Sequence, residues 1–398
     1  LAPPPRTGTN SAANGLPSWA ATSGNGLDLT LSIEIPMPRE ANAVDFWRGF
    51  ALVSIFINHI PGIYYERFTH RNLSISDSAE LFVFLAGWSL GLLVASGDAR
   101  GRAAPLAFRL GGRALQIYAA HILISALALA LLAATAYRVD NPLILEWHNA
   151  SAYFQDASHV QIGIVLLTHQ LGYFDILPLY VVLMLAAPAF VLIDRFARSL
   201  LVPLSLALYF ASLTVPFTAP TWPVEGQWFF NPFTWQAIFV LGFALSRPYG
   251  LGGAVRRNID WIRWACLPVV VGSAVLVWFN WFPDPTRLPQ PRLLFLNGKS
   301  FLTPIRLIQF LALAAVFSAI YPAIARFLPR LTGPLSMLGR NSLNVFCVGS
   351  LLSLGGQIVR YLYSGSFAVD TIVVVAGVGI LCLTAWMSEW RERYSKPS

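Results

Sequence analysis

Residues 114–136, ALQIYAAHILISALALALLAATA, contain no Asp, Glu, Lys or Arg. About 20 mostly apolar residues in a helix cross the hydrocarbon core of a bilayer. So long a charge-free run reads as a membrane span rather than as the helix of a water-soluble domain. Working outward, nine more apolar stretches meet or approach that length, at approximately 45–62, 79–96, 174–193, 200–218, 233–246, 262–282, 303–322, 341–361 and 368–388. The stretch at 233–246 is the shortest. Residues 159–168, HVQIGIVLLT, are too short to span and read as an interfacial or re-entrant piece. The expected fold class is an all-α polytopic membrane protein, a bundle of about ten transmembrane helices.

Composition agrees. Of 398 residues, 56% are apolar and 12% charged, about half the charged share of a soluble domain. The net charge of +8 does not indicate nucleic acid, because the basic residues form no stripe with interleaved aromatics. They cluster instead in every second connection: Arg100 to Arg113, Arg195 and Arg198, Arg247 to Arg263, Arg326 to Arg340, and Arg391 to Lys396. The alternate connections hold fewer, and 219–232 holds none. By the positive-inside rule that alternation puts both termini in the cytoplasm.

Residues 1–38, rich in Pro, Gly, Ser and Asn, read as a disordered cytoplasmic tail without a signal peptide. The membrane domain is expected over 39–390, and 391–398 as a second cytoplasmic tail. Cys266, Cys347 and Cys382 sit in or beside apolar runs and read as small buried hydrophobes. No zinc spacing, HExxH, phosphate loop or GxSxG elbow is present, so no metal site is expected.

Ionisable groups inside a membrane are costly and mark function or pairing. The first stretch holds Asp45, Arg48 and His59, which share one helical face. Asp45 and Arg48, three residues apart, read as a pair locking the inner end. His59, preceded by Asn58 and followed by the helix-ending Pro61-Gly62, is expected near the outer boundary. At the start of the second stretch, SDSAELFVFLAGWSLG (76–91), Asp77 and Glu80 fall at the same depth. A carboxylate there can orient an imidazole and stabilise the imidazolium formed on proton uptake, as a general base acting on a hydroxyl requires. The same two acids also suit a helix N-terminus by complementing its dipole. Gly87 and Gly91 form a small-xxx-small step. His121 is intramembrane and reads as packing. His70, His148, His159 and His169 fall in outward segments without ligand spacing.

The stretch REANAVDFWRGFALVSIFINHIPG (39–62), followed by SDSAELFVFLAG, resembles the OpgC family of osmoregulated periplasmic glucan succinyltransferases, a branch of the transmembrane acyltransferase superfamily. FDILPLYVVLM (174–184), NPFTWQAIFVLGF (231–243) and LGRNSLNVFCVGSLLS (338–353) extend the likeness over about 39–355. The resemblance implies a multi-pass protein of the bacterial inner membrane that takes a succinyl or other short acyl group from cytoplasmic acyl-CoA to hydroxyls of a periplasmic glucan or related oligosaccharide. His59 would be the general base, with Asp77 and Glu80 holding it and Asp45, Arg48 and Asn58 supporting the site. An acyl-imidazole on His59 is the kinetic alternative to direct transfer. Acyl-CoA is then a donor substrate and no cofactor is tightly bound. Arg102, Arg109 and Arg113 are candidates for the CoA phosphates, since guanidinium forks match phosphate oxygens. A cationic contact to a succinyl carboxylate is open among Arg71, Arg306 and Arg360. The expected partners are acyl-CoA, the glucan and membrane lipids, with no nucleic acid. A competing reading from another class is a transporter or flippase for a sugar-linked substrate.

Overall fold

The computed structural model describes residues 42–96, 103–215 and 217–395, and these fold into helices joined by loops. In chain order the α-helices are α1 (Ala43–Asn58), α2 (Ser78–Ala95), α3 (Ala103–Val139), α4 (Ser151–Gln155), α5 (Ala157–Val165), α6 (Ile176–Phe196), α7 (Arg198–Thr214) and α8 (Pro232–Ser246). They continue with α9 (Gly250–Arg257), α10 (Ile259–Trp278), α11 (Pro304–Phe317), α12 (Tyr321–Phe327), α13 (Pro329–Arg340), α14 (Ser342–Leu362) and α15 (Phe367–Ser395). The tail expected over 1–38 lies outside the described residues.

A helix lies on each of the ten apolar stretches, but fewer qualify as spans. Length and apolarity qualify α2, α3, α6, α10, α14 and α15 alone. Two bent pairs, α8 with α9 at 66° and α11 with α12 at 47°, bring the total to eight. The first and fifth stretches fall short because their helices, α1 and α7, have 16 and 17 residues. At 1.5 Å per residue that is about 25 Å, less than the roughly 30 Å hydrocarbon core. The third stretch errs the other way: its helix α3 runs from Ala103 and takes in Arg109 and Arg113. Arginine is a good helix former whose long stem lets the charge reach water from within a helix, so a basic cluster need not end one.

The bundle closes where backbones meet. A Cβ built on Gly87 of α2 would collide with the Phe239 carbonyl of α8, and one on Gly242 of α8 with the Phe84 carbonyl of α2. Hydrogen at both positions lets the two helices lie in backbone contact, with Trp235, Phe239 and Phe243 fully buried around them. Gly87→Ala or Gly242→Ala is therefore expected to force the pair apart, at a cost of about 1–3 kcal/mol. A lowered thermal midpoint of the detergent-solubilised protein, with Gly272→Ala unaffected, is the check. Nothing lies within 4 Å of a Cβ at Gly272.

Helix starts place the polar residues. Asp77 caps α2 in a reciprocal box: its carboxylate accepts from Ala79 N at 2.8 Å, while Glu80 accepts from Asp77 N at 3.0 Å. At the far end of α1 the helix ends at Asn58, and Gly62 turns the chain with φ +72°. His59 thus stands just beyond the helix, on the α1 C-cap.

Candidate active site

A cavity of about 570 Å³ opens at the His59 end of α1. Its wall takes side chains from four connections that are far apart in sequence: Arg71 and Ser74, Asn149 and Tyr173, Phe229 and Phe230, and Asn297 and Lys299. Asn58, His59, Asp77, Asp175, Arg306 and Phe346 complete the part used below. Aromatic faces beside amide, hydroxyl and charged groups make a surface suited to a polar ligand with apolar C–H faces.

His59 is half-buried in this wall. Its ring stacks on Tyr173 with centroids 4.4 Å apart, and Tyr173 lies against His148 at 5.1 Å. His148 Nε2 meets Gln357 Oε1 at 2.8 Å, and Gln357 Nε2 donates to the His59 carbonyl at 2.6 Å. The imidazole is therefore clamped through a ring of four residues. His148 and Asn149 hold consecutive positive φ angles of 58° and 62°, a conformation such residues adopt at a local cost. Nδ1 of His59 is buried without a hydrogen-bond partner. In its neutral form an imidazole has one nitrogen lone pair that can take a proton.

Asp77 does not hold His59 as expected. No hydrogen bond between them occurs among the described residues. Lys299 Nζ lies 2.7 Å from Asp77 Oδ2, and Arg306 3.6 Å from the same oxygen. Burial alone would raise the Asp77 pKa, but these two cations outweigh it and hold the carboxyl well below the usual range. A neutral imidazole cannot compete with two cations for one carboxylate. Glu80 is fully buried and bound by Arg306 Nε at 2.7 Å. Asp77, Glu80, Lys299 and Arg306 thus form a single ionic cluster joining the α2 N-terminus to the 299–306 segment, beside His59. Asn58 accepts from Thr69 Oγ1 at 2.8 Å, tying the α1 end to the loop that carries Arg71.

Asp175, which the sequence reading does not single out, also lines the cavity. It precedes α6 without capping it through its side chain. Tyr173, His148, Gln357 and Lys299 are likewise visible only here. The sequence signal available for Asp175 was its place in the FDILPLYVVLM motif.

A second cavity, of about 290 Å³, lies along the Arg48 side of α1. Arg48, Arg113 and Arg340 line it with Ser89 and Ser342, among Phe82, Leu110, Tyr180 and Leu343. Arg48 pairs with Asp45 at 3.3 Å, as expected, and also donates to Ser89 Oγ at 2.5 Å. Of the three arginines expected at the CoA end, Arg113 lines this cavity, Arg109 lines neither cavity, and Arg102 lies outside the described residues. Phe346 belongs to both walls. Its ring stacks on Phe82 at 6.2 Å, and Phe82 lies against Tyr180 at 5.4 Å. Phe346 thus borders both the basic cavity and the His59 cavity, with Phe82 and Tyr180 behind it.

A family model described as OpgC protein matches residues 39–393. No curated protein and no solved structure matches the chain.

Proposed function

Because the chain belongs to the OpgC family, we propose that it is a membrane O-acyltransferase moving a succinyl or other short acyl group from cytoplasmic acyl-CoA to hydroxyls of a periplasmic glucan. The proposed topology is ten membrane helices with both termini in the cytoplasm of a bacterial inner membrane. The observation that carries the reading is the pair of cavities sharing Phe346: one basic, the other holding an unpartnered imidazole. Arg113 suits the phosphates at the donor's entrance, beside Arg48 and Arg340, which pair with Asp45 and Glu389, and the pantetheine arm passes Phe346 to bring the thioester to His59. Displacement of the Phe346 ring is part of this path.

The transfer then needs few groups. His59 takes the proton of a glucan hydroxyl as its oxygen bonds to the thioester carbon. The tetrahedral intermediate collapses, the C–S bond breaks, and the imidazolium returns the proton to the CoA thiolate. The Asp77 and Glu80 cluster fixes the wall beside His59, and Asp77 supplies negative charge facing the imidazolium. Purified protein with succinyl-CoA and glucan tests the reading: thiol release coupled to a succinylated product supports it. Movement of a sugar-linked lipid between leaflets without thiol release would replace it with the flippase reading.

Asp175 is proposed to accept hydrogen bonds from the acceptor's neighbouring hydroxyls. Hydrogen bonds to a charged group contribute about 1.5–3 kcal/mol, so Asp175→Asn is expected to raise the glucan KM roughly 10-fold or more. An unchanged KM in Asp175→Asn would remove Asp175 from the acceptor site.

A further inference from the structure

We propose that Arg71 receives the free carboxylate of a dicarboxylic acyl group and so sets the enzyme's preference for a charged acyl donor over a neutral one. The inference rests on the acyl-transfer reading and adds the chemistry of the acyl pocket to it.

The cations near His59 are not equivalent. Arg306 is committed to Glu80 and Asp77, and Lys299 to Asp77. Arg360 pairs with Asp370 and donates to the Gly62 carbonyl, and it does not line the cavity. Arg71 lines the cavity, and its charge is felt at the His59 imidazole. No ion pair or hydrogen bond engages its guanidinium among the described residues. The remaining carboxyl in the wall, Asp175, forms no ion pair with Arg71 among the described residues. Arg71 is exposed at the cavity, and of the cations discussed here it alone has no protein counter-ion among the described residues, which leaves it open to a ligand's carboxylate.

Position decides which part of the ligand that is. A thioester arriving past Phe346 leads with its acyl tail, so the tail lies beyond the carbonyl, within the His59 cavity. Arg71 lines that cavity from the 70–72 helical turn after α1. Its backbone is held at both ends. Thr69 bonds to Asn58 at the α1 terminus, while Gln309 of α11 accepts from Ser76 N at 3.0 Å and donates to Ser74 Oγ at 2.9 Å. The segment that carries Arg71 is thus anchored to the end of α1 and to α11, and the planar guanidinium fork matches a carboxylate bidentately.

The experiment compares succinyl-CoA with butyryl-CoA, a chain of equal carbon count ending in methyl, using full-length protein and glucan acceptor. For wild type the succinyl donor is expected to be favoured. In Arg71→Gln the succinyl-to-butyryl ratio of kcat/KM is expected to fall about 10- to 100-fold, with Arg71→Lys intermediate. A ratio is independent of how much variant is folded, so a merely structural role would not move it. An unchanged ratio in Arg71→Gln, or a wild type indifferent to the two donors, overturns the subsite while leaving acyl transfer standing. If wild type releases thiol from neither donor, the acyl-transfer reading fails and takes the subsite with it.

Discussion

His59→Ala is expected to lower glucan-dependent thiol release from succinyl-CoA by about 10²- to 10⁴-fold, the usual worth of a positioned general base. The size follows from the chemistry of the acceptor. A sugar hydroxyl is a poor nucleophile until its proton is taken, and with Asp175 assigned to the acceptor's neighbouring hydroxyls the other acids beside His59 are engaged by cations. Asp77 is held by Lys299 and Arg306, and Glu80 by Arg306. The fold is expected to tolerate the change. The His59 side chain makes a ring contact with Tyr173 and no hydrogen bond among the described residues, while its backbone carbonyl still accepts from Gln357. The check is a single-turnover assay beside a thermal melt: rate lost, midpoint nearly unchanged. Thiol release at the wild-type rate in the variant would assign the base elsewhere. The assay also separates the two kinetic routes. A burst of one thiol per protein without glucan indicates an acyl-imidazole, and its absence indicates direct transfer.

The second large effect is on stability. Arg306→Ala removes the cation shared by Glu80 and Asp77, leaving Glu80 fully buried beside a cavity of its own making. Removing one partner of a buried pair costs about 3–5 kcal/mol, chiefly because the other charge is stranded. The thermal midpoint should therefore fall steeply, and further than in Lys299→Ala, whose side chain is partly exposed. Adding Glu80→Gln to Arg306→Ala should recover much of the loss. Glutamine keeps the oxygen that accepts from Asp77 N in the capping box but carries no charge to strand. Melts of wild type, Arg306→Ala, Glu80→Gln and the double variant form a double-mutant cycle. Equal losses in Arg306→Ala and the double variant would show that the pair is not coupled in this way.

Much of this molecule follows from its linear order. Ten apolar stretches each carry a helix because such runs leave no other way to satisfy backbone hydrogen bonds in lipid. The α2 start was legible because Asp77 and Glu80, three apart before an apolar run, suit a helix N-terminus by complementing its dipole; the fold adds that they close a capping box. The close approach of α2 was legible in Gly87. His59 stood out because an imidazole at a helix end before Pro-Gly needs a partner or a task. The span count was less secure: hydropathy does not show where α1 stops or that α8–α9 and α11–α12 bend.

The partnerships were decided by the fold. Asp77 and His59 look like a pair along the chain, yet Lys299 and Arg306, more than two hundred residues away, claim the carboxylate. Coulomb attraction between full charges in a dry wall exceeds what a neutral ring offers, and no local pattern reveals which distant cation will arrive. Asp175 and Phe346 lay inside recognisable motifs, but only packing shows that one faces the cavity and the other borders both it and its neighbour. Sequence determined which residues are too costly to leave in a membrane without purpose; tertiary structure determined which charge neutralises which, and so which cation remains for a ligand.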